Sequence, residues 1–398
     1  MGAPSSRPLW ERKSIFKAKG NSVALSYTTA MRTPVTFVSH EASYTGAPLF
    51  LLTVLAQADL SSYAPSVLLL HNGPLKKAFR SIGPVQVAAR RFPSLSFALC
   101  RAKRTRQQLH YINSHAYHFL HDAKKQNFPV VMHVHEGPVS FAMIDEVTKE
   151  LLRTYPKRFI ANSDYVRRHL VSELGIAPGK IDLLYPGIDL KRWSRRDASG
   201  SLRTKLGISP DALIVGGAGQ IHPRKGTDLW LAMARRIIGS VQDDTQPPVH
   251  FVWVGKAAQD QKDFAEELYR LSEDRAFKNR VHWVGERIDP KPYFELFDVF
   301  VLSSRQEPLG MVMLENMALK NPVVAFRDAG GPVEVLSRVG GMLVSPLRSD
   351  TLADTVTFLL RTPLYRKALG ESGRKVVEES FTIESSVRHF ERILSECA

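Results

Sequence analysis

The sequence predicts an α/β protein made of two parallel-sheet domains of similar size, and three observations carry that reading. The chain has 398 residues, which suits two domains at the usual ~100–200 residues each. From Pro34 onward, short β-branched apolar runs alternate with longer helical segments, as parallel strands joined by helical crossovers require. The alternation breaks once, over residues 191–201, and restarts at Ala212.

Composition excludes several classes. Apolar residues make up 44% and charged residues 23%, so a disordered or fibrous chain does not fit. The two cysteines, Cys100 and Cys397, form neither a disulfide framework nor a zinc spacing, which points to a reducing compartment. The longest apolar stretch, residues 47–56, is interrupted by Pro48 and Thr53 and falls far short of the ~20 residues that span a bilayer.

Taken in order, residues 1–33 read as a tail without apolar periodicity. Met1, Gly2 and Ser6 formally satisfy a myristoylation pattern, and the apolar core of a secretory signal is missing, so a cytoplasmic location is expected. The first domain, 34–192, has strands expected over 35–39, 67–70, 130–134, 159–161 and 181–184. The second, 193–380, has strands expected over 213–215, 251–254, 281–284, 299–302, 322–326 and 342–344. Helical patterns follow at 352–361 and 365–379, and a last helix within 381–398 is expected to pack back on the first domain. Two open parallel sheets facing each other place ligands at strand carboxyl ends, in the cleft between domains.

The charge of +15 is uneven, with 28 basic against 13 acidic residues in 1–200 and 26 of each in 201–398. Clusters lie at Arg90–Arg91, at Arg101, Lys103, Arg104 and Arg106, and at Lys191, Arg192, Arg195 and Arg196. They suit an anionic membrane surface or an acidic acceptor; the alternative is a solvated basic face. Nucleic acid is not expected, since no basic run interleaves with aromatics and no zinc-finger or RNA-reading motif occurs.

Three strand-to-helix turns carry the chemistry. After the strand at 299–302 come Ser303, Ser304, Arg305, Gln306, Glu307, Pro308, Leu309 and Gly310, then a helical stretch over 311–319. Backbone N–H groups at Gly310 and Met311, backed by the positive helix end, suit a phosphate. Glu307 in the loop and Glu315 in the helix suit sugar hydroxyls, which donate to carboxylates. The alternative makes Glu307 a complement to the helix dipole and Glu315 a surface acid. The second turn runs Gly216, Gly217, Ala218, Gly219, Gln220, then His222, Pro223, Arg224, Lys225, Gly226, Thr227 and Asp228. Its glycines allow close backbone approach to a ligand, Arg224 and Lys225 supply positive charge, and Thr227 or Asp228 offers a cap for the next helix. It lacks the order of a P-loop, and a plain structural turn with two solvated cations reads equally well. The third turn carries His133, Val134, His135, Glu136 and Gly137. His133 and His135 share a strand face, but no third zinc ligand is evident, so no metal is expected. His135 is placed in the cleft and His133 reads as a satisfied buried histidine. No Asp-x-Asp pair occurs, so Lys, Arg and helix amides must meet a diphosphate's charge.

Together these pieces resemble the retaining GT-B glycosyltransferases of family 4. The resemblance rests on Glu307-Pro-Leu-Gly-Met-Val-Met-Leu-Glu315, the Lys225-Gly226 turn 82 residues earlier, and His133-Val-His135-Glu136. His40-Glu41-Ala-Ser-Tyr-Thr-Gly46-Ala-Pro48, Ala161-Asn162-Ser163, Tyr185-Pro-Gly187-Ile-Asp189 and Gly330-Gly331-Pro-Val-Glu334 follow the same order, and the likeness covers about residues 34–390. It implies an acceptor-binding first domain and a second domain that binds a nucleoside-diphosphate sugar, with no resident cofactor and no essential metal. On matching positions, Glu307 contacts donor-sugar hydroxyls and Glu315 the ribose. Leu309, Gly310 and Met311 lend main-chain N–H groups, Lys225 neutralises the diphosphate, Gly46 approaches it, and His135 lies against the sugar. Many members carry Gly-Arg where this chain has Gly219-Gln220, which leaves Arg224 as the substitute cation. Base contact falls to the loop 285–287, including Glu286 and Arg287.

The implied reaction is hexosyl transfer to an acceptor hydroxyl with retention, in glycan or glycolipid synthesis. The leaving phosphate takes the acceptor's proton, and Lys225→Ala or Glu307→Ala is expected to abolish most transfer while leaving the fold intact. The acceptor, a saccharide or a lipid-linked one, falls to loops between residues 73 and 106, with peripheral contact at an anionic cytoplasmic membrane face. The alternatives are a sugar-nucleotide 2-epimerase and a non-catalytic sugar-nucleotide-binding subunit.

Overall fold

The computed structural model describes residues 32–88, 108–195, 200–240, 247–277 and 279–397. The chain forms two compact units: one ends at Gly187 and takes back residues from Ile383, and the other is Ile188–Thr382. The crossings thus fall at 187/188 and 382/383 instead of 192/193 and 380/381. The Arg- and Ser-rich composition placed the first one too late. The Ile188 N–H donates to Phe381 O at 2.8 Å, and Trp193 stacks on Phe294 at 5.9 Å, so both belong to the second unit.

In the first unit, strands β1 (Thr33–Ser39), β2 (Tyr63–Leu69), β3 (Val85–Val87), β4 (Leu109–Asn113), β5 (Val130–Val134), β6 (Arg158–Ala161) and β7 (Ile181–Leu183) form one parallel sheet. Its order is β3-β2-β1-β4-β5-β6-β7. The sequence reading missed β3 and β4. β3 is three half-exposed residues, too short to show a pattern. β4 reads Leu-His-Tyr-Ile-Asn, with one β-branched residue, yet every position is buried because it lies between β1 and β5 with both faces covered. His110 on it stacks on Phe128 at 4.4 Å. The helix Ile383–Cys397 completes this unit, burying Ile383, Val387, Phe390, Ile393 and Leu394 in the core that holds Phe37 and Tyr111.

In the second unit, β8 (Leu213–Ala218), β9 (Val249–Val254), β10 (Val281–Trp283), β11 (Val299–Leu302), β12 (Val323–Phe326) and β13 (Met342–Val344) form a parallel sheet in the order β10-β9-β8-β11-β12-β13. Gly216 and Gly217, read as allowing ligand approach, instead lie under core aromatics. A Cβ at Gly216 would sit 2.1 Å from the Phe297 ring, and one at Gly217 would sit 2.4 Å from Trp253. Both sheets are doubly wound, and in each the strand order reverses at one pair, β1–β4 and β8–β11. Loops leaving the carboxyl ends of such a pair diverge and open a crevice, the usual ligand position in open α/β sheets.

Among the described residues no helix is long and apolar enough to cross a membrane. The myristoylation pattern, the cluster from Arg90 to Arg106 and much of the expected acceptor wall lie outside the described residues.

Candidate functional site

At the β8–β11 switch point of the second unit, two loops 82 residues apart are locked together. Gly226 has φ +63°, and a Cβ there would lie 1.9 Å from the Ser303 carbonyl oxygen, so only glycine fits. Ser303 Oγ donates to Lys225 O at 3.0 Å, and the Arg305 N–H donates to Arg224 O at 2.8 Å. The Arg305 guanidinium donates to Pro223 O and grips both oxygens of Asp228 at 2.7 and 2.6 Å. The segment after β12 clamps the other side. The Glu307 N–H donates to Ala329 O at 2.8 Å, and the Gly331 N–H donates to Glu307 O at 2.9 Å. A Cβ on Gly331 would strike Pro308 O at 1.9 Å, and Gly330 takes φ +107°, which together explain the Gly330-Gly331 pair.

The lock brings Lys225 Nζ to 2.5 Å from Glu307 Oε2, which also accepts from Ser304 Oγ at 3.0 Å. Glu307 is only 5% exposed. Burial alone would push its carboxyl up, but the Lys225 and Arg224 charges and the two hydrogen bonds outweigh burial and hold it below the ordinary carboxylate value. Burial lowers the Lys225 ammonium, and Arg224 adds to that while Glu307 opposes it. Gly310, at φ +96°, turns the chain into the helix Met311–Ala318, whose first turn has no acidic residue and no side-chain cap. The Met313 N–H donates back to Gly310 O at 2.9 Å, which leaves the N–H groups of Gly310, Met311 and Val312 without intrahelical partners. A Cβ at Gly310 would lie 3.3 Å from Glu307 Cγ, so the helix start adjoins the ion pair. One turn further on, partly buried Glu315 has its pKa pushed up to about 8 by burial, with Arg192 opposing and Asp289 adding to the rise.

At the β1–β4 switch point of the first unit, polar side chains at the ends of β4 and β5 hold one another, and those after β1 form a cluster of their own. Glu136, after β5, is 4% exposed and accepts from Ser114 Oγ, from Tyr117 OH at 2.6 Å and from the His135 N–H at 3.1 Å. Burial opposes its ionisation, but His115, His135 and the Ser114 and Tyr117 bonds keep its pKa below the ordinary value. After β1, Glu41 accepts from Ser43 Oγ at 2.5 Å and Thr45 Oγ1 at 2.9 Å, and contact with His40 is the largest cause of its pKa falling to about 2. His135 Nε2 meets Asn113 Oδ1 at 2.9 Å. His133 lies under it with ring centroids 4.0 Å apart. His133 is only half satisfied: Nδ1 meets Tyr111 OH at 2.6 Å, while the buried Nε2 has no partner.

The structure therefore brings together Gly219, Arg224, Lys225, Glu307, Leu309, Gly310 and Met311. A Cβ at Gly219 would lie 3.7 Å from the Lys225 side chain, and Leu309 is buried beneath the loop. Arg224 directs Nη1 at Gln306 O, 3.0 Å away, while Gln220 is exposed. Glu286 forms an exposed pair with Lys256 at 2.6 Å, and Arg287 lies over the Tyr293 ring at 5.4 Å, so both have surface partners. Asp228 does not cap the next helix, which begins at Thr227; its carboxylate serves Arg305. Gly46 opens the helix Gly46–Leu55, and a Cβ there would meet no heavy atom within 4 Å. Ser304, Arg305, Asn113, Ser114 and Tyr117 were not singled out. The last three come from or follow the unrecognised β4, and Ser304 carried no signal beyond its place in the loop. Among the described residues no group of three or more His, Cys, Asp or Glu side chains could hold a metal ion.

Residues 199–376 match the family described as glycosyl transferases group 1, and residues 52–192 match glycosyltransferase family 4. Curated relatives include D-inositol 3-phosphate glycosyltransferases of Segniliparus rotundus, 28% identical over 54% of this chain and 47% of that protein, and of Mycolicibacterium gilvum, 30% identical over 50% and 43%. The matched stretch thus spans less than half the length of those relatives. Among solved structures, Anabaena HepE in complex with UDP-glucose superposes with a TM-score of 0.80 at 21% identity, covering 92% of this chain and 100% of that one.

Proposed function

This chain belongs to the GT-B glycosyltransferases of family 4, and we propose that it moves a hexosyl unit from a nucleoside-diphosphate sugar to an acceptor hydroxyl with retention. The observation that carries the reading is the Lys225–Glu307 pair, joined across 82 residues of sequence at the start of the helix Met311–Ala318. A leaving nucleoside diphosphate gathers negative charge as its bond to the sugar breaks. Lys225 and the helix N–H groups are fixed in advance, so they stabilise that charge more in the transition state than in the ground state. Glu307 accepts from sugar hydroxyls through the carboxylate it already turns toward Lys225. The leaving phosphate oxygen takes the acceptor's proton, so this chain need supply no base. In the first unit, His135 offers a ring nitrogen to a substrate hydroxyl.

The Anabaena neighbour was solved with UDP-glucose, which makes UDP sugars the first donors to try. A thermal-shift panel of UDP, GDP and ADP sugars, followed by mass analysis of products, tests the reading: stabilisation plus a new glycoside is expected, and an epimer would overturn it. Exposed Gln220, where many members carry arginine, favours a second reading as a non-catalytic binding subunit, for which binding without turnover is the signature. The acceptor is a saccharide or a lipid-linked one. The excess of basic residues in 1–200 supports peripheral contact with an anionic membrane, and liposome flotation at low salt should respond to anionic lipid.

A further inference from the structure

We propose that Asn113 is a positioning residue that holds His135 in one neutral tautomer, with the proton on Nε2 and Nδ1 left as the acceptor for a substrate hydroxyl. The proposal rests on the glycosyl-transfer reading for the identity of that substrate. Asn113 ends β4, is fully buried, and stands between β1 and β5 at the switch point. Its amide has two partners with opposite demands. Nδ2 donates to the Ala47 carbonyl at 3.2 Å, and Oδ1 faces His135 Nε2 at 2.9 Å.

A carbonyl oxygen only accepts, so the amide nitrogen must face Ala47 and the amide oxygen must face His135. Nε2 therefore carries hydrogen, and the network assigns the tautomer. Flipping the amide would set two acceptors against each other at Ala47 and two donors at His135. Among the described residues nothing bonds Nδ1.

The charged and titratable groups around the ring are Glu136 and His133 on its own segment, His40 after β1, and His115 after β4; Phe50 presents its ring from the helix Gly46–Leu55 at 6.0 Å. Burial is the largest influence and lowers the His135 pKa to about 4, with Glu136 opposing and His40 and His115 adding to the fall. The ring is thus neutral at pH 7, as an acceptor Nδ1 requires. One amide also ties the first turn of the helix Gly46–Leu55 to the end of β5, so Gly46 and His135 hold a common register.

Asn113→Asp keeps the shape but sets a carboxylate against Nε2, which favours the imidazolium. Asn113→Leu removes both bonds at similar volume. The test is 15N-histidine NMR of the full chain, alongside transfer rates from pH 5 to 9. The expected result is an Nε2–H tautomer in the parent, a His135 titration raised by about three pH units in Asn113→Asp, and transfer by that variant that falls about tenfold at pH 6 but recovers at pH 8.5. Asn113→Leu should mix the tautomers and lower transfer at every pH. An unchanged His135 titration in Asn113→Asp, or a parent ring protonated on Nδ1, would overturn the proposal. Because the NMR result does not depend on turnover, a parent that transfers no sugar would count against the functional reading while the tautomer question is still decided.

Discussion

At the β8–β11 switch point, main-chain contacts and the Arg305–Asp228 pair clamp two distant loops around the buried Lys225–Glu307 pair. At the β1–β4 switch point, polar side chains at the ends of β4 and β5 hold each other through hydrogen bonds. The first arrangement is written in glycines that tolerate no Cβ, at Gly226 and Gly331, and it delivers a fixed positive group. The second is written in Asn113, Ser114, Tyr117 and Glu136, none of them a glycine although Ser114 takes φ +62°, and it delivers neutral acceptors and one shielded carboxylate. The contrast separates charge stabilisation from orientation, and substitutions should show it as different signatures.

The largest effect is expected at Lys225. Loss of a preorganised transition-state donor costs about 10²–10³ in rate, so Lys225→Ala should lower kcat by at least that much. Burial of the pair also predicts a stability cost beside the loss of rate. Removing one partner of a buried pair strands the other charge, at about 3–5 kcal/mol, so Lys225→Ala and Glu307→Ala should both melt early. The double variant Lys225→Met with Glu307→Gln should regain most of the stability and none of the activity. Melting curves and single-turnover rates on the three proteins would decide; near-wild-type turnover in Lys225→Ala would break the contrast between the two switch points.

A smaller effect, on stability and with a pH signature, is expected at Glu136. Hydrogen bonds to a buried carboxylate contribute roughly 1.5–3 kcal/mol, so Glu136→Gln should cost about 2 kcal/mol at pH 7. Its folded pKa lies below the ordinary value of 4.5, so this stability is present above that value and lost as pH falls through the folded pKa. The gap in Tm between parent and variant should therefore be full at pH 6–7 and close below pH 4. A gap that stays constant down to pH 3 would mean that the carboxylate's charge is not what the cluster uses.

The same contrast explains what the sequence disclosed. Turns with positive-φ glycines and β-branched strands such as Val299–Leu302 and Val130–Val134 leave a local pattern, so most strands and the Lys225, Glu307 and Gly310 positions were readable. β4 was not, because its burial comes from neighbours on both sides and not from its own residue types. With it went Asn113 and Ser114, whose roles exist only through partners at positions 47, 135 and 136. The glycines at 216 and 217 were legible as glycines but not as space for Phe297 and Trp253, since that requires knowing which side chains cross the sheet.

The smallest effect should separate the two acids of the second unit. Glu307 is held ionised by its neighbours, whereas burial raises Glu315 to about 8, so it is largely protonated at pH 7. A carboxyl whose folded pKa is raised contributes most below its unfolded value of 4.5 and loses that contribution as pH rises toward the folded value. Glu315→Gln should thus match the parent near pH 5 and melt a few degrees higher at pH 9. If the ribose hydroxyls donate to an ionised Glu315, nucleotide affinity in the parent should rise roughly tenfold between pH 7 and pH 9, because the competent form grows from about a tenth to most of the population. Calorimetric titration of the parent and of Glu315→Gln with a UDP sugar measures this, and the variant should show a flat profile. A flat profile in the parent would remove the ionised Glu315 from the ribose contact and leave Glu307 as the single charged acceptor of that site.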